Sequence, residues 1–233
     1  DIETEGTQYL AVVFEDDDTV WLGGPSGIER VDLERGGVTG RWHNVSGHLL
    51  GDVVFDLVVA DDGRVWAGTS AGLERLSPET GATKHFGSVE GVPGPMVLQV
   101  EPQAGRHVLW PGTSTALVEF DLTTERVIQS FAERDGVPIG GFSRLGHARL
   151  PNGIDVFSTV WGLAFARIVP PPTSAPPVYL TSVHADGRTH SVSRHSTLHL
   201  DGRTNQIDFA FGAVDFRRPD GLTYDYRLVG LST

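Results

Sequence analysis

The chain has 233 residues, 39% of them hydrophobic, with a formal net charge of -12 and Lys84 as its only lysine. That is enough apolar material for one large core or two small ones, but it offers no basic face for nucleic acid or an anionic membrane surface. The absence of cysteine excludes structural disulfides and thiolate zinc sites and is compatible with an extracytoplasmic setting. No apolar run approaches the roughly 20 residues of a membrane span, and Asp1 to Gln8 lacks the character of a signal peptide.

In chain order, the first unit runs from about Tyr9 to Trp42. It contains Thr19 to Val31, T-V-W-L-G-G-P-S-G-I-E-R-V. Its hairpin, Asp16-Asp17-Asp18-Thr19, lacks a glycine and predicts a slightly longer turn; the three carboxylates do not have the oxygen spacing of a calcium loop. The second unit, 53–86, repeats the pattern as Arg64 to Leu76, R-V-W-A-G-T-S-A-G-L-E-R-L. Here Asp61-Asp62-Gly63 supplies a hairpin, since Gly readily takes positive φ. The third, 96–131, reads H-V-L-W-P-G-T-S-T-A-L-V-E from His107, and the fourth, 142–168, reads I-D-V-F-S-T-V-W-G-L-A-F from Ile154.

Trp21, Trp66, Trp110 and Val156 are spaced by 45, 44 and 46 residues, the period of a four-stranded β-propeller blade. The three tryptophans occupy one strand position, where a large ring fills the wedge between blades. Gly23, Gly68 and Gly112, two residues on, face the same way and permit a neighbour to come close. Gly68 to Gly72 also matches the G-x-S-x-G nucleophile elbow, but a strand is expected after it rather than the helix that chemistry requires. Asn44-Val45-Ser46 matches a glycosylation acceptor, to which no role is assigned.

After Val169 the composition changes. Residues 170–177 read as a stiff proline-rich linker, leaving the fourth blade without an obvious fourth strand. In a closed ring that strand would come from the other end of the propeller. Beyond the linker, Val178 to Ala185 reads as a strand, Asp186-Gly187 as a hairpin and Asp201-Gly202 as a turn. Ile207, Phe209 and Phe211 alternate with Asp208, Ala210 and Gly212 as in a half-buried strand, and Tyr224, Tyr226 and Leu228 alternate likewise. About five strands are expected where an Ig-like sandwich has seven or so. His195 and His199, on one strand, would stand about 13 Å apart, too far to share an ion, and with His190 they read as surface residues.

The pattern Asp-Gly, apolar residue, Trp, any residue, Gly, Thr, then Gly-Leu, closed by Gly-Val-Pro at Gly91 to Pro93 and Gly136 to Pro138, resembles the two-component regulator propeller repeat. The segment from Pro176 to Gly230, with Tyr224-Asp225-Tyr226-Arg227-Leu228-Val229-Gly230, resembles the Ig-like domain, called Y_Y_Y after its tyrosines, that follows such propellers. Together they imply an all-β chain: about four four-stranded propeller blades over 1–169, forming part of a larger ring, and an incomplete Ig-like β-sandwich over 178–233. They also imply the periplasmic, non-catalytic sensor region of a hybrid histidine kinase or diguanylate cyclase receptor, dimeric through the full-length protein. Export signal, further blades, membrane helix and output domain are then expected outside this chain. The ligand implied is an oligosaccharide or other small molecule; no cofactor or metal is expected.

Because strands alternate direction, the second turn of each blade and the blade-to-blade loops share one face of the disc. The loops Asn44 to Asp52, Gly87 to Pro95 and Ala132 to Gly141 are the longer ones and differ most between copies, as expected where a common scaffold carries a particular task. Trp161, standing where sister blades have Ser26, Ala71 and Thr115, is the candidate aromatic platform; the alternative is that it packs under a neighbouring loop. His43, His48, Arg134 and Asp135 are the polar candidates. Two other functional classes compete: a metal-dependent propeller enzyme of the streptogramin-lyase type, which needs a histidine and carboxylate cluster, and a protein-protein interaction scaffold.

Overall fold

The structure is a computed structural model of the chain and describes residues 4, 8–103, 105–137, 140–167, 176–190, 197–200, 202–213 and 224. It divides into two compact units, Asp1–Val169 and Pro170–Thr233. In the first, β1 (Ala11–Phe14), β2 (Thr19–Gly24), β3 (Gly27–Asp32) and β4 (Gly37–Trp42) form an antiparallel sheet in sequential order. The second blade comprises β5 (Val54–Val59), β6 (Val65–Thr69), β7 (Gly72–Leu76) and β8 (Thr83–Phe86), and the third β9 (Val97–Pro102), β10 (Val108–Thr113), β11 (Leu117–Asp121) and β12 (Arg126–Phe131). The fourth holds three strands among the described residues, β13 (Phe142–Arg149), β14 (Asp155–Thr159) and β15 (Gly162–Ala166). The chain is thus all-β, with blades at the predicted period.

Sequence explains why these strands do not alternate simply between apolar and polar. A blade in the middle of an arc is covered on both faces, so every residue of β6 and of β10 is buried, and a continuous apolar run is the expected signature of such a strand. The cores lie between blades. Trp21, Ile28 and Trp42 of the first blade pack on Val54, Leu57, Val65 and Leu76 of the second. At the next junction Trp66, Leu73 and Phe86 meet Val97, Val100, Leu109 and Phe120. The Trp66, Phe86 and Phe120 ring centroids are 5.2 to 5.5 Å apart, a spacing at which stacked and edge-on aromatic contacts are favourable. Trp110, Leu117, Phe142 and Phe157 form the third junction.

The repeated glycines do what their spacing implies. A Cβ at Gly23 would lie 2.6 Å from Cγ1 of Val54, and one at Gly68 2.8 Å from the Val97 carbonyl oxygen, both in the following blade. The tryptophan N–H groups differ from blade to blade. Trp21 Nε1 donates to Glu15 Oε2 at 2.9 Å and Trp110 Nε1 to Gln103 Oε1 at 3.1 Å. Register places Ala60 at the same point in blade two, and the buried Trp66 Nε1 has no hydrogen-bond partner among the described residues.

The second unit, described by itself, contains a three-stranded antiparallel sheet in the order β17-β16-β18, formed by β16 (Val178–Ala185), β17 (Arg188–His190) and β18 (Ile207–Ala213). Asp186 and Gly187 have φ values of 46° and 78°, the positive pair that a two-residue Asp-Gly hairpin needs. Tyr224 accepts the Ala213 N–H at 3.1 Å and sets its ring edge-on to Phe211. Ile207, Phe209 and Phe211 are exposed rather than half-buried, because the described residues supply no second layer over them. Residues 170–175, His195 and 225–230 lie outside the described residues, and with them most of the linker and the tyrosine segment.

Candidate functional site on the second-turn face

A threonine shapes the second turn in three blades. Thr69, Thr113 and Thr159 donate to the carbonyls of Gly72, Ala116 and Gly162 at 3.0 to 3.1 Å. They also accept the N–H of Ala71, Thr115 and Trp161 at 3.1 to 3.3 Å. A hydroxyl that accepts an N–H two residues on and donates to a carbonyl across the turn fastens it with no help from outside. Blade one has Gly24 at this position, and its turn, Pro25-Ser26, lines a groove of about 470 Å³ together with His43, Asn44, Val45 and Asp52.

His43 is held in the groove wall by a hydrogen bond between its Nδ1 and the Ser26 carbonyl. Facing a carbonyl, that nitrogen carries the proton. Asn44 Nδ2 donates to the Leu50 carbonyl at 2.6 Å, which fixes the amide plane. The lining combines hydroxyl, imidazole, amide and carboxylate with the apolar ring of Pro25, a set suited to a hydroxyl-bearing ligand. Ser70, the serine of the elbow-like motif, accepts the N–H groups of Asp52 and Val53 at 3.0 and 3.2 Å, and the segment after it is strand β7. Its role is to tie down the loop beside the groove.

The other candidate residues do not gather around this groove. His48 Nδ1 lies 2.8 Å from Ser46 Oγ, and its carbonyl accepts from the Thr83 hydroxyl. Arg134 and Asp135 sit in the 3₁₀ turn Glu133–Asp135 and form an ion pair at 3.7 Å. Asp135 Oδ2 also accepts the Ala132 N–H at 2.9 Å, as Glu90 accepts that of Gly87 in the sister loop. The hydrogen bond from Gly87 holds the Glu90 carboxyl below its ordinary value. Gly91 and Gly136 close these turns with φ of 91° and 92°, which accounts for the glycine of each Gly-Val-Pro motif. Asp135 also borders a second cavity, of about 270 Å³, among Leu117, Phe131, Phe142, Phe157 and Phe165.

Trp161 is 78% exposed, and a Cβ added at the nearby Gly140, at φ 91°, would lie 3.5 Å from its Nε1. Among the described residues no group of three or more His, Cys, Asp or Glu side chains is arranged to hold a metal ion. Sequence indicated the groove's loops but not its position. The available signal was the loss of the repeated threonine at Gly24, a difference between sister copies rather than a motif.

The fold is shared with solved structures, a β-propeller domain among them. Over 91% of this chain the structure matches the extracellular domain of a hybrid two component system from B. thetaiotaomicron, with a TM-score of 0.63 and 18% identity. The extracellular domain of a one component system from the same organism matches over 70%, with a TM-score of 0.59 and 21% identity. The WD40 β-propeller domain of Doa1 matches over 70%, with a TM-score of 0.54 and 14% identity. The chain spans 30%, 21% and 51% of those three chains, respectively. No family model matches the sequence, and no curated protein does.

Proposed function

We propose that this chain is part of the extracytoplasmic ligand-sensing region of a membrane-anchored receptor, a hybrid histidine kinase or diguanylate cyclase, and performs no chemistry itself. In this reading the blades are two-component regulator propeller repeats and residues 178–233 begin the Y_Y_Y-type domain that links them to the output. The observation that carries it is the match over 91% of the chain, across both units, to an extracellular domain of a hybrid two component system. The resemblance of the repeats, read from residues alone, supports the same class independently.

The ligand is a small hydroxyl-rich molecule, such as an oligosaccharide fragment, taken on the second-turn face in the groove of Pro25, Ser26, His43, Asn44 and Asp52, with Trp161 offering a stacking platform in blade four. Ligand would act by binding one arrangement of a receptor dimer more tightly than the other, since only differential affinity shifts such an equilibrium.

The test is a binding screen of oligosaccharides of several linkages, read by intrinsic tryptophan fluorescence, with His43→Ala and Trp161→Ala beside the wild type. Saturable binding of one glycan class, weakened by His43→Ala, is the expected result. Binding unchanged in both variants moves the site off this face. Failure of every glycan, with the chain demonstrably folded, would leave a protein partner as the better reading.

A further inference from the structure

His147 stands on β13 between carboxylates from two different blades. Its Nδ1 lies 3.2 Å from Oε2 of Glu101, on β9 of blade three, and its Nε2 lies 3.0 Å from Oδ1 of Asp155, on β14 of its own blade. A neutral imidazole has one N–H and an imidazolium two, so only the protonated ring donates to both. When the ring is neutral, one nitrogen turns a lone pair toward a carboxylate and one of the two links becomes a repulsion.

The charged groups facing His147 among the described residues are Glu101 and Asp155, with Arg149 of β13 behind Asp155 at 4.0 Å. Burial of the ring opposes its charge, but the hydrogen bonds and fields of Glu101 and Asp155 outweigh that, and its pKa lies above the ordinary 6.5.

β9 carries a second inter-blade link one residue earlier, toward the other neighbour, and here the hydrogen bonds favour the charged carboxylate while its burial opposes it. The Val100 N–H donates to Oδ2 of Asp56 on β5 at 2.8 Å, and Oδ1 of the same carboxyl accepts from Leu57 at 2.9 Å. Burial raises Asp56 from 3.8 to about 6 against those two hydrogen bonds, with a further push from the charge of Glu101. Across from it, Arg144 of β13 lies over the Phe55 ring at 5.9 Å. Glu101 therefore faces both titrating groups, one on each side of its blade.

We propose that the innermost strands β5, β9 and β13 form a proton-operated clamp, in which proton uptake by His147 completes both of its links and proton uptake by Asp56 relieves the burial of its charge, so that blade three is held against both of its neighbours. Both groups hold a proton more firmly in the folded arc than in the unfolded chain. Their stabilisation is therefore complete below the unfolded values, 3.8 for Asp56 and 6.5 for His147. It is lost as pH rises through about 6 for Asp56 and through the raised value of His147.

Mild alkalinisation loosens the two junctions together. At the junction of blades three and four the effect reaches the 270 Å³ cavity directly, because Phe157 packs on the His147 ring at 4.8 Å and lines that cavity. This inference rests on the inner-strand geometry and stands apart from the identity of any ligand.

The test uses the full chain. The His147 ring is titrated by NMR in wild type and in Glu101→Gln. Backbone hydrogen exchange, corrected for its intrinsic pH dependence, is compared at about pH 5.5 and about pH 8, across the ordinary histidine range. The expected result is a ring titrating above its ordinary value in wild type and lower in Glu101→Gln. Amides of β9 and β13 should be several-fold better protected at the lower pH, with β2 and β3 as the unresponsive reference. His147→Gln and Asp56→Asn should each remove the pH effect at their own junction. A ring titrating at or below 6.5, or protection that changes equally in β2 and β3, overturns the clamp. Should His147→Gln fail to fold, Glu101→Gln, altering a partly exposed side chain, carries the same decision.

Discussion

Blade two and blade four begin from the same repeat and end in different states of completion. In blade two, Trp66, Leu73 and Phe86 are fully buried, with the outer strand β8 closing the sheet and blade three covering its face. In blade four, Val156 replaces the tryptophan, and Leu163 and Phe165, at positions equivalent to Leu73 and Arg75, are 63% and 65% exposed. The repeat therefore specifies a sheet, while the aromatic contributions of an outer strand and of the next blade turn that sheet into a sealed layer. Stability in such an arc resides in the junctions, as in other stacked repeats.

The largest effect comes from making blade two resemble blade four. Trp66→Ala removes a fully buried ring that touches both Phe86 and Phe120, and should cost about 3–5 kcal/mol. Val156→Ala, on the less enclosed blade, should cost about 1 kcal/mol or less. Urea denaturation of the two variants measures the contrast. Equal losses would mean that blade four is as well packed as its sister.

Much of this contrast was legible in the residues themselves. The 45-residue step, the tryptophan and the glycine two places on fixed the blades, because a wedge-filling ring and a close approach are demands that few residue types meet. The three strands of blade four among the described residues accord with the prolines read after Val169. In the second unit, the hairpin at Asp186-Gly187 was readable for the same steric reason, whereas the covering of Phe209 and Phe211 depends on a layer that local pattern does not specify.

The site was far less readable. His43 and the loop from Asn44 to Asp52 were singled out, and the structure puts His43, Asn44 and Asp52 in one groove wall. It gives His48, Arg134 and Asp135 partners of their own elsewhere. The His147, Glu101 and Asp155 cluster left no trace in the sequence, since its members lie 8 to 54 residues apart and meet only through the stacking of blades. Motif reading finds residues joined by one turn; it does not find those joined by a junction.

Asp56 tests whether the junction of blades two and three carries a charge cost that blade four lacks. Its carboxyl is raised from 3.8 to about 6 by burial, which corresponds to about 3 kcal/mol of differential stability between low and neutral pH. Asp56→Asn keeps an acceptor for the Val100 N–H and removes the charge. It should match wild type near pH 4 and become more stable by about 1–3 kcal/mol above pH 6, with the difference opening between those values. Parallel stability curves would show that the buried carboxylate is already solvated in the folded chain.

A smaller gain should come from completing the hydrogen bonding of blade two. Ala60 stands where Glu15 and Gln103 accept the tryptophan N–H in the neighbouring blades. Ala60→Gln offers Trp66 Nε1 the same partner and should stabilise the chain by about 1 kcal/mol. Calorimetry decides the matter, and a lowered midpoint would mean that the added side chain crowds the junction instead.

The smallest effect on stability, and the most informative about function, belongs to Trp161. A side chain 78% exposed contributes little to any core, and its backbone N–H, bound to Thr159 Oγ1 at 3.3 Å, survives truncation. Trp161→Ala should therefore shift the unfolding free energy by less than about 0.5 kcal/mol. The same truncation at Trp66 removes a core ring. If Trp161→Ala instead destabilises the chain by several kcal/mol, the indole is acting as a seal on blade four. If stability holds and glycan binding weakens, the exposed indole is kept for a ligand, because nothing in the fold then requires it.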